Sequence, residues 1–464
     1  MKSHEKPVHP YIPNSAPEVK AAMLKEIGIK DIDELYEDIP AHLRFKGKMN
    51  LPKALSSELA LKRHMDRLLG KNISVDDNIS FLGGGCSNHY VPAIVDEVIN
   101  RSEFLTAYAG EPYEDHGRFQ ALFEYESLMA ELLDFDVVNV PTYDWGQAAA
   151  TSVRMAERIT GRGTVLVADS VSPDRLSIIH NYCQPVMQVV LVATDAASGQ
   201  MDMDALQSSL SDDVAALYFE NPAYTGVLEE KGQVIADLLH ANGSLMIVGL
   251  DPLSASVITP PSQYGTDIAC GDIQSLGNHM HFGGTLAGFI ATRDEEKFVM
   301  EYPSRLFGIA KTAVEGEWGF SDVAYDRTSF GVREKGKEFV GTAAALWGIS
   351  SAVYLALLGP QGITELGQTI MQRSLYAQKR LSALKGVTLR FTSATFKEFV
   401  VDFSGTGKTV KAINKALLDQ GIFGGKDLTE EMPGLSQCAL YAVTEMHGQA
   451  EIDALVTALE SVLA

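Results

Sequence analysis

Short apolar runs alternate with helical stretches between about residues 135 and 292, and this pattern constrains the fold more than any other feature. The runs are rich in β-branched residues, and polar or acidic residues follow most of them; they lie at 164–168, 189–192, 214–219, 245–248 and 287–290. Amphipathic helices, such as 234–239, fit between several of the runs. Strands that alternate with helices favour a mostly parallel sheet covered on both faces. The sequence therefore predicts an α/β fold that binds ligands beside the carboxyl ends of its strands.

Residues 11–75 have a different pattern, which predicts short helices separated by turns. A helix over 23–27 closes on Gly28, and Asp31 suits the N-cap of the next turn. A segment of this size cannot bury much surface alone. We therefore expect it to wrap over a larger body.

The last third of the chain predicts a small α+β domain. A long helix from about 341 precedes strands near 388–391, 396–402 and 439–443, with further helices near 409–418 and from about 450. The predicted organisation is a helical N-terminal arm at 1–75, a large α/β domain at 76–335 and the small C-terminal α+β domain at 336–464.

Composition argues against several classes of function. The 464 residues include 38 basic and 60 acidic side chains, a net charge of −22, whereas nucleic acids and anionic lipid surfaces require basic patches. The four cysteines lie far apart without a C-x-x-C pair, which argues against a disulfide framework or a zinc ribbon. The N-terminus has no apolar signal region, and the apolar stretch 340–358 is interrupted by glycine and serine. We expect a soluble cytoplasmic protein with neither a nucleic-acid nor a membrane partner.

Motifs for several other chemistries are incomplete. The stretch 405–409 has the end of a phosphate-binding loop, but Asp402 stands where that motif needs its first glycine. His279 and His281 offer two nitrogens without a carboxylate or thiolate at a fitting spacing, so no metal site is predicted. The G-x-S-x-G elbow of serine hydrolases does not occur.

Asp251, together with a missing lysine, gives the most specific indication of chemistry. Enzymes that use pyridoxal phosphate on such a sheet need an acidic residue at the pyridinium nitrogen, a Schiff-base lysine and a helix N-terminus for the phosphate. Asp251 at a strand end suits the first role, and 144–148 at the start of a helix suits the last. The sequence between Asp251 and Lys297 contains no lysine, and Lys231, Lys297 and Lys311 lie at unsuitable spacings. These residues indicate a pyridoxal-type sheet without its nucleophile.

Long motifs run along most of the chain in a fixed order. The most specific is F-L-G-x-G-x-x-N-H-Y-x-P at 81–92, followed by R-S-E-F-x-T-A-Y at 101–108; others lie at 11–14, 117–124, 271–277, 354–360 and 421–425. These motifs resemble those of the P-protein of the glycine cleavage system, specifically the alpha subunit of the two-subunit glycine dehydrogenase (decarboxylating). The resemblance implies the type I, aspartate-aminotransferase-like pyridoxal fold with a small C-terminal α+β domain.

The resemblance also implies a division of roles between two subunits. Pyridoxal phosphate is expected in a beta subunit whose lysine forms the Schiff base, while this chain supports glycine decarboxylation and aminomethyl transfer to a lipoyl carrier (H) protein. The candidate side chains facing the shared pocket are Asn88, His89 and Tyr108, with framework hydrogen bonding as their alternative role. No cofactor contact is expected in this chain, and the vestigial candidates for that site are Asp144, Gly146 and Asp251.

Three departures from the family pattern keep two alternatives open. Segments 109–116 and 336–344 differ from the usual residues, which suggests a divergent paralogue whose partner acts on another small amino or imino acid. Trp145 intrudes before Gly146, which suggests a non-catalytic scaffold for a pyridoxal-dependent partner, with the indole filling a vacated cofactor site.

Overall fold

A computed structural model describes residues 8–9, 11–105, 116–281, 287–338, 343–432 and 434–464. The chain divides between Asn72 and Ile73 into two compact units, and each is described by itself.

The N-terminal unit consists of helices α1 (Pro17–Ile27) and α2 (Glu58–Leu69), with 3-10 turns at Pro13–Ser15 and Ile32–Tyr36. Helix α1 ends at Gly28 with a φ of +85°, which is the predicted glycine end. Asp31 and Glu34 form a capping box at the following turn, as predicted for Asp31. Not one of the described residues of this unit is buried, so its apolar side chains, such as the 97% exposed Tyr11, have no core of their own.

The first part of the second unit alternates strands and helices. In chain order its elements are β1 (Ile79–Ser80), α3 (Ala93–Ile99), α4 (His116–Leu133), β2 (Val137–Val138), α5 (Trp145–Thr160), β3 (Thr164–Ala168), α6 (Pro173–Cys183), β4 (Gln188–Val192), α7 (Met203–Ser209), β5 (Val214–Glu220), α8 (Gly232–Ala241), β6 (Leu245–Leu250), β7 (Ile268–Asp272) and β8 (Gly288–Thr292). Short 3-10 turns follow β6 at Pro252–Ser256 and Pro261–Tyr264.

The remaining elements follow in the order α9 (Glu296–Val299), β9 (Phe307–Lys311), β10 (Trp318–Asp322), α10 (Ala345–Leu381), β11 (Thr388–Leu389), β12 (Glu398–Asp402), α11 (Val410–Leu418), β13 (Ile422–Phe423), β14 (Lys426–Asp427), β15 (Cys438–Ala442) and α12 (Gln449–Leu463). Further 3-10 turns lie at Tyr325–Arg327, Ser329–Lys335 and Ser404–Thr406.

A seven-stranded sheet forms the centre of this unit, in the order β2-β8-β7-β6-β5-β3-β4. Strands β3 to β7 pair in parallel, and β8 followed by β2 extends the sheet beyond β7 through antiparallel pairings. Along β7, Ile268 and Cys270 belong to one buried cluster with α5, whereas Ala269 belongs to another with α4 and α10. Both faces are therefore covered, and the predicted α/β fold is confirmed.

The C-terminal part forms a second, antiparallel sheet in the order β11-β12-β15-β14, whose buried side chains form a core with α11 and α12. Strand β1 pairs in parallel with β13, so residues 79–80 join this part of the chain although they lie far from it in sequence. That pairing was not predicted.

Helix α10 is the described helix that is long and apolar enough to cross a membrane, judged by length and composition alone. Gly359 interrupts it with a φ of +63°, immediately before Pro360. Its buried residues, including Ile349, Tyr354 and Ile370, pack into the cores of the unit. These contacts make α10 a helix of the protein core, and it begins close to the long helix predicted from about 341.

Candidate functional site

Acidic side chains from three neighbouring strands meet at one edge of the large sheet. Strand β5 ends at Glu220, Asp251 directly follows β6, and β7 ends at Asp272. Because β5, β6 and β7 are adjacent and parallel, their carboxyl ends lie together. A cavity of about 30 Å³ lies there. Its lining includes Asp251 and Asp272, Gly85 from the loop after β1, Trp145 and Arg175 from α5 and α6, and 396–398 at the start of β12.

Asp251 forms a buried ion pair with Lys397. The Asp251 Oδ2 and Lys397 Nζ atoms lie 2.6 Å apart, and the two side chains are 14% and 7% exposed. The Ser275 hydroxyl donates to Asp251 Oδ1 at 2.5 Å, and the Leu253 N–H donates to the same oxygen at 3.1 Å. Burial opposes ionisation of Asp251, but the Lys397 ammonium and the Ser275 hydroxyl outweigh it and lower the pKa of Asp251. Burial likewise opposes the Lys397 charge, yet Asp251 and Glu398 raise its pKa, so both partners are charged at neutral pH.

A chain of polar groups continues from Lys397 through His89 to Glu445. Lys397 Nζ lies 3.3 Å from His89 Nε2, and His89 Nδ1 lies 2.9 Å from Glu445 Oε2. An ammonium group can only donate, so Nε2 accepts and the proton on Nδ1 points to Glu445. Burial opposes ionisation of Glu445, but His89 and the Tyr90 N–H outweigh it and lower the pKa of Glu445. The His89 side chain is fully buried, so its ring positions protein groups around it.

Arg175 and Glu220 form a second buried ion pair at the same edge. Arg175 donates through Nε and Nη2 to the two oxygens of Glu220, at 2.5 and 2.8 Å. The guanidinium carbon lies 4.0 Å from the ring centre of Trp145, a cation–π arrangement. The Trp145 indole N–H donates to the Tyr218 hydroxyl at 3.1 Å, and Tyr218 donates to Glu220 at 3.1 Å. Packing and hydrogen bonds therefore hold the indole in one orientation beside the cavity.

Two further carboxyl groups line the cavity, and their burial favours the protonated, uncharged form. Burial raises the pKa of Asp272 to about 7, although the Gln274 and Ala287 N–H groups donate to it. Burial also raises the pKa of Glu398, whose Oε1 accepts from the Gly84 N–H at 2.6 Å. The lining thus mixes charged pairs with carboxyl groups that burial pushes toward the protonated form.

These residues do not fit a pyridoxal phosphate molecule. A cavity of about 30 Å³ holds roughly two waters, whereas small-molecule sites usually exceed 300 Å³. The N-terminus of α5 is capped by the Asp144 carboxylate, which accepts from the Gln147 N–H at 2.6 Å and would repel a phosphate. A Cβ at Gly146 would overlap Ile178, so α6 closes over this helix end. Asp251, for its part, is already paired with Lys397.

The predicted pocket residues are distributed as follows. His89 lies in the polar chain described above, and Asn88 is half-buried and accepts from the Thr444 hydroxyl through its backbone carbonyl at 2.6 Å. Tyr108 lies outside the described residues, as do 109–115 and 339–342 of the divergent segments. Whether Asn88, His89 and Tyr108 face a shared pocket stays a prediction.

The lysines and the histidine pair that the sequence argued against as sites do not line this cavity. Its lining contains none of Lys231, Lys297 and Lys311. His279 contacts Asp96 at 2.9 Å, and its ring lies 5.7 Å from that of His281. Within the described parts of the chain, no three His, Cys, Asp or Glu side chains come together as a metal site.

Sequence reasoning missed Lys397, Glu398 and Arg175 as parts of this site. A lysine and a glutamate interrupt the otherwise apolar run 396–401, and charged residues inside a buried strand require partners. That signal predicts that Lys397 and Glu398 have charged or hydrogen-bonding partners inside the fold. It does not identify Asp251, because the pairing is made by the fold.

The chain has the fold of the fold-type I pyridoxal-phosphate-dependent enzymes. A sphingosine-1-phosphate lyase of Burkholderia pseudomallei is similar with a TM-score of 0.65 over 91% of this chain and 94% of that one. The two are 12% identical, so this likeness concerns the fold alone.

Closer similarities identify the family. Residues 9–459 match the sequence profile of the family described as glycine cleavage system P-protein. The chain is 37% identical over 464 residues to a protein of Staphylothermus marinus named "Probable glycine dehydrogenase (decarboxylating) subunit 1", with 98% of each covered. It is 32% identical to a glycine decarboxylase (P-protein) of the glycine cleavage system, solved in inhibitor-bound form, with a TM-score of 0.83 over 98% of this chain and 100% of that one. The chain belongs to the P-protein family, as its motifs predicted, and both fold and family point to pyridoxal phosphate chemistry.

Proposed function

We propose that this chain is the alpha subunit of a heteromeric glycine decarboxylase. In this proposal a lysine-bearing beta subunit holds pyridoxal phosphate and decarboxylates glycine, and the aminomethyl group passes to a lipoyl carrier protein in the cytoplasm. The relatives named as subunit 1 support it, because this chain and its relative from Staphylothermus marinus match over 98% of both lengths. The name of such a relative also implies a second subunit.

The ion pair between Asp251 and Lys397 is the main observation in support of a cofactor site in the beta subunit and a supporting role for this chain. The carboxylate that the fold class uses at the cofactor ring has a protein cation as its partner here. The cavity beside it has a volume of about 30 Å³, too small for the cofactor. These facts support a cofactor held by the partner.

The contribution of this chain is to orient the surface around the loop after β1. Glu445 accepts from the Tyr90 N–H at 2.7 Å and from His89, so the backbone at 89–90 is fixed from inside. The Tyr90 side chain is 59% exposed next to this anchor. We propose that this surface completes the partner's pocket, with Asn88, His89 and Tyr108 as the residues nearest to it.

Exchange of carbon dioxide into glycine tests the proposal. The chain is co-expressed with a lysine-bearing P-protein beta subunit, and exchange is measured with a lipoylated carrier protein present. We expect activity from the complex and negligible activity from either chain alone. Exchange by this chain alone would overturn the proposal, and activity of the complex on another amino acid in place of glycine would favour the divergent paralogue.

Borohydride reduction of the active complex, followed by peptide mass spectrometry, locates the cofactor. We expect the reduced pyridoxyl-lysine in a peptide of the partner. A pyridoxyl-lysine in this chain would overturn the assignment of the cofactor to the beta subunit.

A non-catalytic scaffold is the second candidate, favoured by the fixed indole of Trp145 at the cavity. The two candidates differ in the activity of the partner. A beta subunit that is fully active without this chain would support the scaffold, whereas strict dependence on this chain supports a catalytic complex.

A further inference from the structure

We propose that Lys397 is a built-in cation that replaces the ring nitrogen of the cofactor as the partner of Asp251. The edge of the sheet would then be a closed ion-pair core, and this chain could not accept the cofactor without losing that pair. The inference rests on the fold class and on the proposed location of the cofactor, and it is independent of the substrate.

The position of Asp251 supports this replacement. Asp251 follows β6, which lies between β5 and β7, at the edge of the sheet where open α/β folds bind their ligands. An acidic residue at this edge suits the ring nitrogen of pyridoxal phosphate. The Asp251 Oδ1 atom already accepts from Ser275 and Leu253, and the Oδ2 atom lies 2.6 Å from Lys397 Nζ. Both carboxylate oxygens are therefore engaged by this chain's own groups.

The backbone delivers the Lys397 ammonium to this point. Phe396 and Phe399, on either side of Lys397, are 1% and 2% exposed and anchor the segment in two buried clusters. The Lys397 carbonyl accepts from the Val443 N–H at 2.9 Å, which joins the segment to the chain just after β15. The side chain thus starts from a fixed backbone and reaches Asp251 with 7% of its surface exposed.

The surroundings of the ammonium group are those of a cation site. Asp251 is in contact, His89 Nε2 lies 3.3 Å away as an acceptor, and Glu398 and Glu445 also stabilise the charge. Removing one member of a buried ion pair leaves the other charge without its partner, whereas neutralising both members removes the two charges of the pair together. This difference gives the proposal its test.

A double-mutant cycle on the full-length chain measures the coupling through melting temperature. We expect Lys397→Met and Asp251→Asn each to lower the melting temperature by about 5 °C or more, and the double variant to recover at least half of the larger loss. Lys297→Met is the matched control, because Lys297 pairs with Glu295 at 2.9 Å where both side chains are about half exposed. We expect it to change the melting temperature by about 1 °C or less.

Chemical rescue provides an independent measurement. Lys397→Ala leaves space for a small primary ammonium ion, so ethylammonium chloride should raise the melting temperature of this variant more than sodium chloride at equal ionic strength. The wild type and Lys297→Ala should respond equally to both salts.

Each outcome decides for or against the proposal. Single variants that fail to fold while the double variant folds would support it as strong coupling. Additive losses, unchanged single variants, a double variant that does not fold, or rescue by sodium chloride alone would overturn it. None of these measurements uses glycine, so an inactive complex with a coupled ion pair would reject only the proposed function.

Discussion

His89 Nδ1 lies 2.9 Å from Glu445 Oε2, so two segments 356 residues apart in the chain meet through one hydrogen bond. Glu445 also accepts from the Tyr90 N–H, and its backbone carbonyl accepts from Arg373 on α10. The loop after β1, the segment after β15 and the long helix are therefore joined at one point. Substitutions at this point act on the shape of the neighbouring surface.

We predict that His89→Ala lowers the free energy of unfolding by about 1–3 kcal/mol, since the buried Glu445 and Lys397 groups each lose a hydrogen-bond partner. Urea unfolding followed by circular dichroism measures this loss. His279→Ala is the control, because His279 contacts Asp96 where both side chains are nearly half exposed, and we expect a change within about 0.5 kcal/mol. Equal losses for the two variants would mean that the polar chain does not stabilise the fold.

The raised pKa of Asp272 predicts that the stability of the fold depends on pH. Burial raises the pKa of Asp272 to about 7, whereas an unfolded aspartate titrates near pH 4. Between about pH 4 and 7 the folded state holds a proton that the unfolded state has lost, so stability falls as the pH rises through this window. We expect the melting temperature of Asp272→Asn, relative to wild type, to rise from pH 5 to pH 7 and then to level off.

The exposed Asp237 on α8 provides the control for this titration. Asp237→Asn supplies the reference curve for replacing an exposed aspartate over the same pH range. A difference between Asp272→Asn and the wild type that does not change with pH would show that Asp272 is not the group that titrates.

Two substitutions at Trp145 separate the contribution of its hydrogen bond to stability from the contribution of its ring packing. Trp145→Phe keeps an aromatic ring but loses the N–H that donates to Tyr218, so we expect a loss of about 1 kcal/mol in unfolding free energy. Trp145→Ala also removes the ring that packs on Arg175, and we expect a loss of about 3–5 kcal/mol. Denaturant unfolding of both variants measures the two contributions. Similar losses for Phe and Ala would contradict a role for ring packing.

Local patterns predicted five of the seven strands of the large sheet, but neither β2 and β7 nor the contacts within the site. The strands at 164–168 and 214–219 were recognisable because each is a short apolar run followed by polar residues. Of the acidic residues after the predicted runs, Glu220 and Asp251 lie at the edge of the sheet that holds the site. The partner of Asp251 is 146 positions later in the chain, and no spacing rule connects it with Lys397. The pairing of β1 with β13 escaped prediction for the same reason, since each strand has two residues and its partner is distant. Pairings that depend on the packing of remote segments cannot be read from one sequence.

Gly226 lies in the turn after β5, and this turn packs directly against the backbone of residues 395–398, which include Lys397. A Cβ at Gly226 would overlap the Glu398 carbonyl oxygen, and the residue has a φ of +85°. Val227 forms a β-bridge with Thr395, so the turn and the segment are in register at this point. We predict that Gly226→Ala lowers the free energy of unfolding by about 3 kcal/mol or more, from backbone strain and overlap together.

Gly316 offers a matched control, since its φ is +86° and a Cβ there would meet nothing within 4 Å. Gly316→Ala should cost about 1–2 kcal/mol, the cost of the left-handed conformation alone. The difference between the two variants isolates the contact with Glu398. Equal losses of unfolding free energy for the two variants, measured by urea unfolding, would mean that the turn at Gly226 accommodates a Cβ by a small shift. The position of the Lys397 ammonium would then not depend on Gly226.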